Sequence, residues 1–459
     1  MNFLTKNQTM KTPVAALTAL YRFGLFSLLI SSLFVFYGCP DRNFPNPNSA
    51  DPATAGVQSL VTGVESSMRN AMGFYLYGTS IIGREAYYFG GDDPRYMAEY
   101  KGGALDPGGP FNNNNYIQRY NVIATANALL DVAANLPAEE KRGVEGFAKT
   151  IIAYQLLIVL NQLNENGIKI RFSPNPSEHP FVPKAEGFRE INRLLDEAHA
   201  ALTASGTRFN FRLSNGFANF NTPTTFARFN RALRARVAAY QGDYNTCLSA
   251  LSQSFLREGD TPDDMNLGVY HVFSTASGDA LNPLFEPPAQ AVRWWAHPSV
   301  YRENQDTATD RRIRTKLFPR SLTSAYGVSS SFVVSVFPSN VAPISIIRNE
   351  ELLLLRAEAN ILGSTQNLAA ATADINRVRR AAGVPEIPVL ANRDAALDRL
   401  IYERRYSLFC EGHRWIDMRR FPTRPGSPNP NNLPGRLNEL PIDRTGDRIV
   451  VNFERPIAD

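Results

Sequence analysis

The chain has 459 residues, 44% hydrophobic and 20% charged, with a formal net charge of +5. That is an ordinary globular composition with room for two or three core-sized units. No block of five or more Lys/Arg occurs outside the N-terminal region, which argues against nucleic-acid binding, and three Cys are too few for a disulfide framework, so stability must come from packing.

Lys6, Lys11 and Arg22 precede an apolar run from Phe23 to Tyr37 (FGLFSLLISSLFVFY) that stops at Gly38-Cys39. A basic start, an apolar stretch and a small residue before the cut make a secretory signal. The run is about 15 residues long, and spanning a bilayer takes about 20. Gly-Cys at its end matches a bacterial lipoprotein, in which the Cys becomes the acylated N-terminus. Phe36 and Tyr37 are bulkier than the usual lipobox, Met10 is an alternative start, and a free Cys after an ordinary signal is the competing reading. The expectation is a signal peptide over 1–38, lipid on Cys39, and a tether over 39–56 (PDRNFPNPNSADPA after the Cys) too rich in Pro, Asn and Asp to bury much. Two or three acyl chains anchor stably where one is marginal.

From 57 to 459 the apolar period is mostly helical. Stripes at a 3.6-residue spacing run over Val57–Met72, Tyr116–Ala134, Val144–Leu163 and Phe188–Leu202. In 226–251, Phe226, Phe229, Leu233, Val237 and Tyr240 line one face, Gly242-Asp243 makes a turn, and Tyr244, Leu248 and Leu251 begin a second face, like a tetratricopeptide unit. A second such unit covers Leu352 to Ala382, broken at Gly363. The irregular spacing between the two predicts helix pairs packed into one mainly α body rather than a solenoid. Cys247 and Cys410 fall in helical patterns and read as small buried apolar residues, pairing with each other being the alternative.

Two long regions, Gly83–Phe111 and Asp260–Pro343, lack the helical period; Ser330–Phe337 is a short strand candidate within the second. Structureless loops of that length are uncommon unless functional, so a ligand is expected there. Sugar rings need flat aromatic faces with planar polar groups at the edge. Trp294, Trp295 and Tyr301, and Tyr88, Tyr96 and Tyr100 with Asp92 and Arg95, supply both; Tyr87 stands in the same run. Adjacent Trp on an extended segment point opposite ways, so at most one of the pair should face a ligand.

Three C-terminal segments, RNEELLLLRAEANILG (Arg348–Gly363), AAATADINRVRRAAGVP (Ala369–Pro385) and LIYERRYSLFCEGHRWIDMRRF (Leu400–Phe421), resemble, in order, the motifs of the SusD/RagB family of nutrient-binding outer-membrane lipoproteins. Glu350, Ala357-Glu358-Ala359, Asn376, Val378, Arg379, Ala382-Gly383, Glu403-Arg404, Glu411-Gly412, Arg414, Asp417 and Arg420 occupy the family's positions; Arg380 and Ala381 shift the second motif, and Cys410 replaces a commonly polar residue. The resemblance implies four tetratricopeptide-like helix pairs supporting irregular loops, display at the cell surface, and a partner, a SusC-like TonB-dependent transporter barrel to which an oligosaccharide, or sometimes a peptide, is delivered.

Catalytic chemistry finds little support. Glu403 and Glu411, eight residues apart, would lie about 12 Å apart by rise on one helix, beyond the roughly 5–9.5 Å of a glycosidase pair. Interleaved Arg makes them an expected ion-pair network. The five His (His179, His199, His271, His297, His413) show no metal-ligand spacing, and there is no P-loop, G-x-S-x-G or G-x-G-x-x-G. Asp92-Asp93 and the Asn112–Asn115 run lack the periodic oxygens of a calcium loop and read as polar loops. No catalytic residue, metal or cofactor is expected. The alternatives to glycan capture are peptide capture, a surface glycosidase and a purely structural lid.

Overall fold

In the computed structural model, which describes residues 52–457 except 94, 103–104 and 172–178, successive helices between 110 and 252 pack on one another. The signal, Cys39 and the tether as far as Asp51 lie outside the described residues, while residues 52–56, expected as tether, begin a helix. The chain divides into two compact units, residues 1–55 and 56–459, and the elements described below belong to the second apart from the start of the first helix.

Helices α1 (Pro52–Met68), α2 (Met72–Ile82), α3 (Arg95–Gly102), α4 (Pro110–Ala133), α5 (Ala138–Leu163), α6 (Lys184–Thr203), α7 (Pro223–Gln241) and α8 (Tyr244–Ser252) make the N-terminal series. Successive packing of α4 on α5, α5 on α6, α6 on α7 and α7 on α8 is the tetratricopeptide-like arrangement. The α7–α8 turn follows its residues closely. Gly242 takes a left-handed φ of 75°, and the Asp243 side chain accepts from the Thr246 amide at 3.1 Å to cap α8. Thr222 and Thr225 close a capping box on α7, and Phe226, Phe229, Leu233 and Val237 are buried as their spacing requires.

Helix α5 is long and apolar enough to cross a membrane by length and composition, but 89% of its apolar window is buried, which makes it the central core helix. The first predicted helix differs from expectation: Ala71 has a φ of 58°, so α1 ends at Met68 and α2 starts afresh at Met72. The Asn112–Asn115 run also differs. It belongs to α4, where Asn112 donates to the Glu454 carbonyl at 2.9 Å and the buried Asn115 donates to Gln162. These amide nitrogens find acceptors only once the C-terminal segment and α5 are in place.

The long middle region holds short elements rather than bare loop: α9 (Pro262–Asn266), β4 (Gly268–His271), β5 (Trp294–Ala296), α10 (Pro298–Arg302), α11 (Arg311–Lys316), β6 (Leu317–Ala325), β7 (Val328–Val334) and β8 (Ile344–Arg348). Strand β7 fulfils the Ser330–Phe337 expectation but ends three residues earlier. An antiparallel sheet runs β1 (Ala86–Tyr88), β5, β7, β6; β4 pairs with β8, and β2 (Ile168–Lys169) with β3 (Phe181–Val182). Then α12 (Asn349–Leu362) packs on α7 and α8 and on α13 (Leu368–Ala382) and α14 (Arg393–Ser407), and α15 (Arg414–Arg420) completes the helical series.

Candidate functional site

Pairing of β1 with β5 places Tyr88 opposite Trp294 and Tyr87 opposite Trp295, joining two aromatic groups far apart in sequence. On one face Tyr77 meets both Tyr88 and Trp294 edge-on, at 5.3 and 5.0 Å between centroids, Tyr96 stacks on Phe111 at 4.0 Å, and Tyr100 lies 5.0 Å from Phe111. Trp294 Nε1 donates to Ser80 Oγ at 3.1 Å. On the other face Phe89 lies between Tyr87 and Trp295, and the Arg320 guanidinium is 5.9 Å from the Trp295 ring.

Trp294 and Trp295 are 1% and 4% exposed. At most one of the pair was expected to face a ligand, and neither is exposed: both pack, because β5 lies between β1 and β7 and is covered on both faces. Tyr88, Tyr96 and Tyr100 are buried with them. The Tyr88 hydroxyl donates to Asp92 at 2.8 Å, and burial, followed by that hydrogen bond, pushes its pKa up. Asp92 and Arg95 stand at the surface, where Arg95 bonds Asp93 at 2.7 Å and Asp106 at 3.0 Å.

Tyr301 is different. On α10 its ring stacks on Phe332 of β7 at 4.3 Å and 23°, and it is 40% exposed, the one aromatic among the exposed large hydrophobic side chains of the described residues. Beneath it, Ser299 Oγ, His297 and Asp443 form a line of hydrogen bonds, 2.7 Å to Nδ1 and 2.8 Å from Nε2. This resembles a nucleophile, base and acid, but Ser299 is buried and its Oγ accepts from Arg405 at 2.5 Å. Burial, then Lys101, pushes His297 down to about 2, so it is a poor base. The line caps α10: His297 Nδ1 accepts from the Ser299 amide.

The C-terminal charges pair as their interleaving predicts, though α14 ends at Ser407 and Glu411 sits in the following turn rather than on one helix with Glu403. Glu403 accepts from Arg312 at 2.7 Å and Arg379 at 2.6 Å; Arg404 holds Asp417 at 2.7 Å. Burial alone would raise Glu411, but Arg348 and Lys316 outweigh it and hold its carboxyl at about 2, the opposite of what a general acid needs. Trp415 is in the core, its Nε1 donating to the Val450 carbonyl at 2.8 Å. Cys247 and Cys410 are buried free thiols. The described residues contain no cluster of His, Cys, Asp and Glu fit to hold a metal ion.

A cleft of about 760 Å³ opens between α9, α11, the 336–345 segment and the end of α13. Tyr270, Phe337, Pro338 and Pro343 give it apolar walls, and Arg311, Lys316, Arg348 and Glu411 line its polar side. Most of this lining comes from the 260–343 region where a ligand was expected. No residue pattern singled it out, since its parts are brought together only by tertiary packing.

The same architecture occurs in known proteins. The SusD family model matches residues 339–454. A laminarin-binding SusD-like protein is 17% identical, with 79% of this chain and 90% of that one covered and a TM-score of 0.61. A SusD superfamily protein from Parabacteroides distasonis ATCC 8503 is 14% identical, with 86% and 97% covered and a TM-score of 0.63. A SusD-like carbohydrate-binding protein from Bacteroides vulgatus ATCC 8482 is 14% identical, with 80% and 83% covered and a TM-score of 0.60. No curated protein sequence matches. Helix pairs carrying an irregular, strand-containing region are thus the architecture of SusD-like proteins. The chain shares the fold of SusD-like proteins, and its C-terminal part, residues 339–454, matches the SusD family model.

Proposed function

We propose that this protein captures an oligosaccharide at the surface of an outer membrane, held there by lipid on Cys39, and passes it to a SusC-like TonB-dependent transporter without making or breaking a bond. The observation that carries the reading is Tyr301: an exposed ring, backed by Phe332, offers the flat apolar face that a pyranose ring packs against, with Arg302 beside it for hydroxyls. Two proteins of the same fold, one described as laminarin-binding and one as carbohydrate-binding, support the glycan class. Asp92, in the loop after β1, and Arg95, at the start of α3, are the proposed polar contacts. Trp294, Trp295, Tyr88, Tyr96 and Tyr100 serve by holding that loop and the sheet in place.

Isothermal titration with neutral oligosaccharides, laminari-oligosaccharides included, is the test. At least one should bind, with Tyr301→Ala weakening it about tenfold or more, near 1.4 kcal/mol, while the circular dichroism spectrum is unchanged. Binding of peptides alone would replace the ligand class. Chromatography of the same mixtures should show the sugars intact, and turnover would overturn the reading of a pure binding protein.

A further inference from the structure

We propose that the cleft between α9, α11 and the 336–345 segment is a second binding site, for an oligosaccharide that carries carboxylates. The inference rests on the glycan reading but uses a separate place, since neither Tyr301 nor Phe332 lines the cleft. Its volume of about 760 Å³ lies within the range of small-molecule sites, about 300–1,000 Å³. The Phe337 ring and the flanking prolines give flat apolar walls, and Val341 is left 38% exposed on the rim.

Charge decides the ligand class. Four cations line the cleft, Arg311, Arg312, Lys316 and Arg348, against two acids, Glu350 and Glu411. Arg348 spends its guanidinium on those two acids and the Ser407 carbonyl, and Lys316 donates to the carbonyls of Tyr406 and Ser407 and lies 3.5 Å from Glu411. Arg312 is closed by Asp310 at 2.8 Å and Glu403 at 2.7 Å. Arg311 is left over. It is exposed, it faces the cleft, and among the described residues it pairs with no carboxylate. A guanidinium in a partly apolar cleft matches a carboxylate in a two-pronged hydrogen bond, and a neutral sugar gains nothing comparable from it.

The full chain, purified in detergent, is titrated with trigalacturonate and a hyaluronan tetrasaccharide, and with the methyl ester of each, which keeps the rings and removes the charge. At least one acid should bind, about tenfold more tightly than its ester. That binding should weaken with salt, drop about tenfold in Arg311→Ala, and stay unchanged in Tyr301→Ala. Arg311 is exposed on a short helix, so its loss leaves the fold intact, which an unchanged thermal midpoint checks. Equal binding of acid and ester, no binding of either acid, or an Arg311→Ala protein that binds like wild type would each overturn the cleft site. Neutral-glycan binding that persists at Tyr301 would then show that the general function survives its failure.

Discussion

Arg420 reaches Glu358 with one edge of its guanidinium and Asp417 with the other, 2.8 Å away in each case, while Arg404 grips Asp417 from the far side. Glu358 is fully buried, so this pair is not a surface ornament. Removing one partner strands the other charge in a medium that cannot solvate it. Arg420→Ala should therefore cost about 3–5 kcal/mol, read as a lowered urea midpoint, whereas breaking the exposed Arg193–Glu197 pair should cost at most about 1 kcal/mol. A loss for Arg420→Ala as small as the surface pair's would mean that water reaches Glu358. Tyr301 lies at the opposite extreme, and trimming it should move affinity but not stability.

Turns set where the elements stop. In Glu411-Gly412, part of the third family motif, Gly412 has a φ of 84°, and a Cβ there would stand 2.9 Å from the Tyr75 ring. Gly412→Ala meets both a left-handed backbone and a ring of α2 that cannot easily move, so it should destabilise by more than the roughly 1–2 kcal/mol of conformational strain alone. At Gly242 the φ is similar but the space is open, so Gly242→Ala should show only the strain. Thermal unfolding of the two variants side by side separates the terms; equal midpoints would mean that α2 yields. Thr222→Ala, which removes the α7 cap, should cost about 1 kcal/mol.

Across the whole molecule, buried titratable groups make stability depend on pH. Burial, the largest influence in each case, holds His271, His297 and His413 neutral in the fold, pushed down to about 3, about 2 and about 4. The unfolded chain takes up those protons from about pH 6.5 downward and the folded one does not, so stability is lost as pH falls through that range. Glu85, raised by burial to about 7, works the other way, because the unfolded chain ionises it first as pH rises above about 4.5. His199 is lowered as well, and Glu65 and Asp374 are raised with Glu85. Four depressed histidines, which titrate in the unfolded chain at about pH 6.5, therefore oppose three raised carboxyls, and the urea midpoint should be lower at pH 5 than at pH 7. Below about pH 4.5 the depressed Glu411 adds a further loss. A midpoint that rises on acidification would show that these histidines take up protons within the fold. Membrane attachment belongs to this scale too: a Cys39→Ser protein should partition into the soluble fraction, and one that stayed membrane-bound would remove the anchor.

Helices were legible in the sequence because their signals are local. An apolar stripe and a stop such as Gly242 or Gly363 act within a few residues, and the observed α7 and α12 end at them. The ion-pair motifs were legible too, because acids and arginines interleave along the segment that joins them. What the tertiary structure alone decided is which surfaces are covered. The fate of Trp294 and Trp295 depends on β1 and β7 closing over β5, the Asn run of α4 finds its partners on α5 and near the C-terminus, and Arg312 reaches Glu403 while Arg311 pairs with no acid among the described residues. These are contacts between residues distant in the chain, and no short window of the sequence holds all the partners of any of them. The helical framework was therefore written in the chain order, while the exposure of Tyr301 and the charge of the cleft arose only from packing.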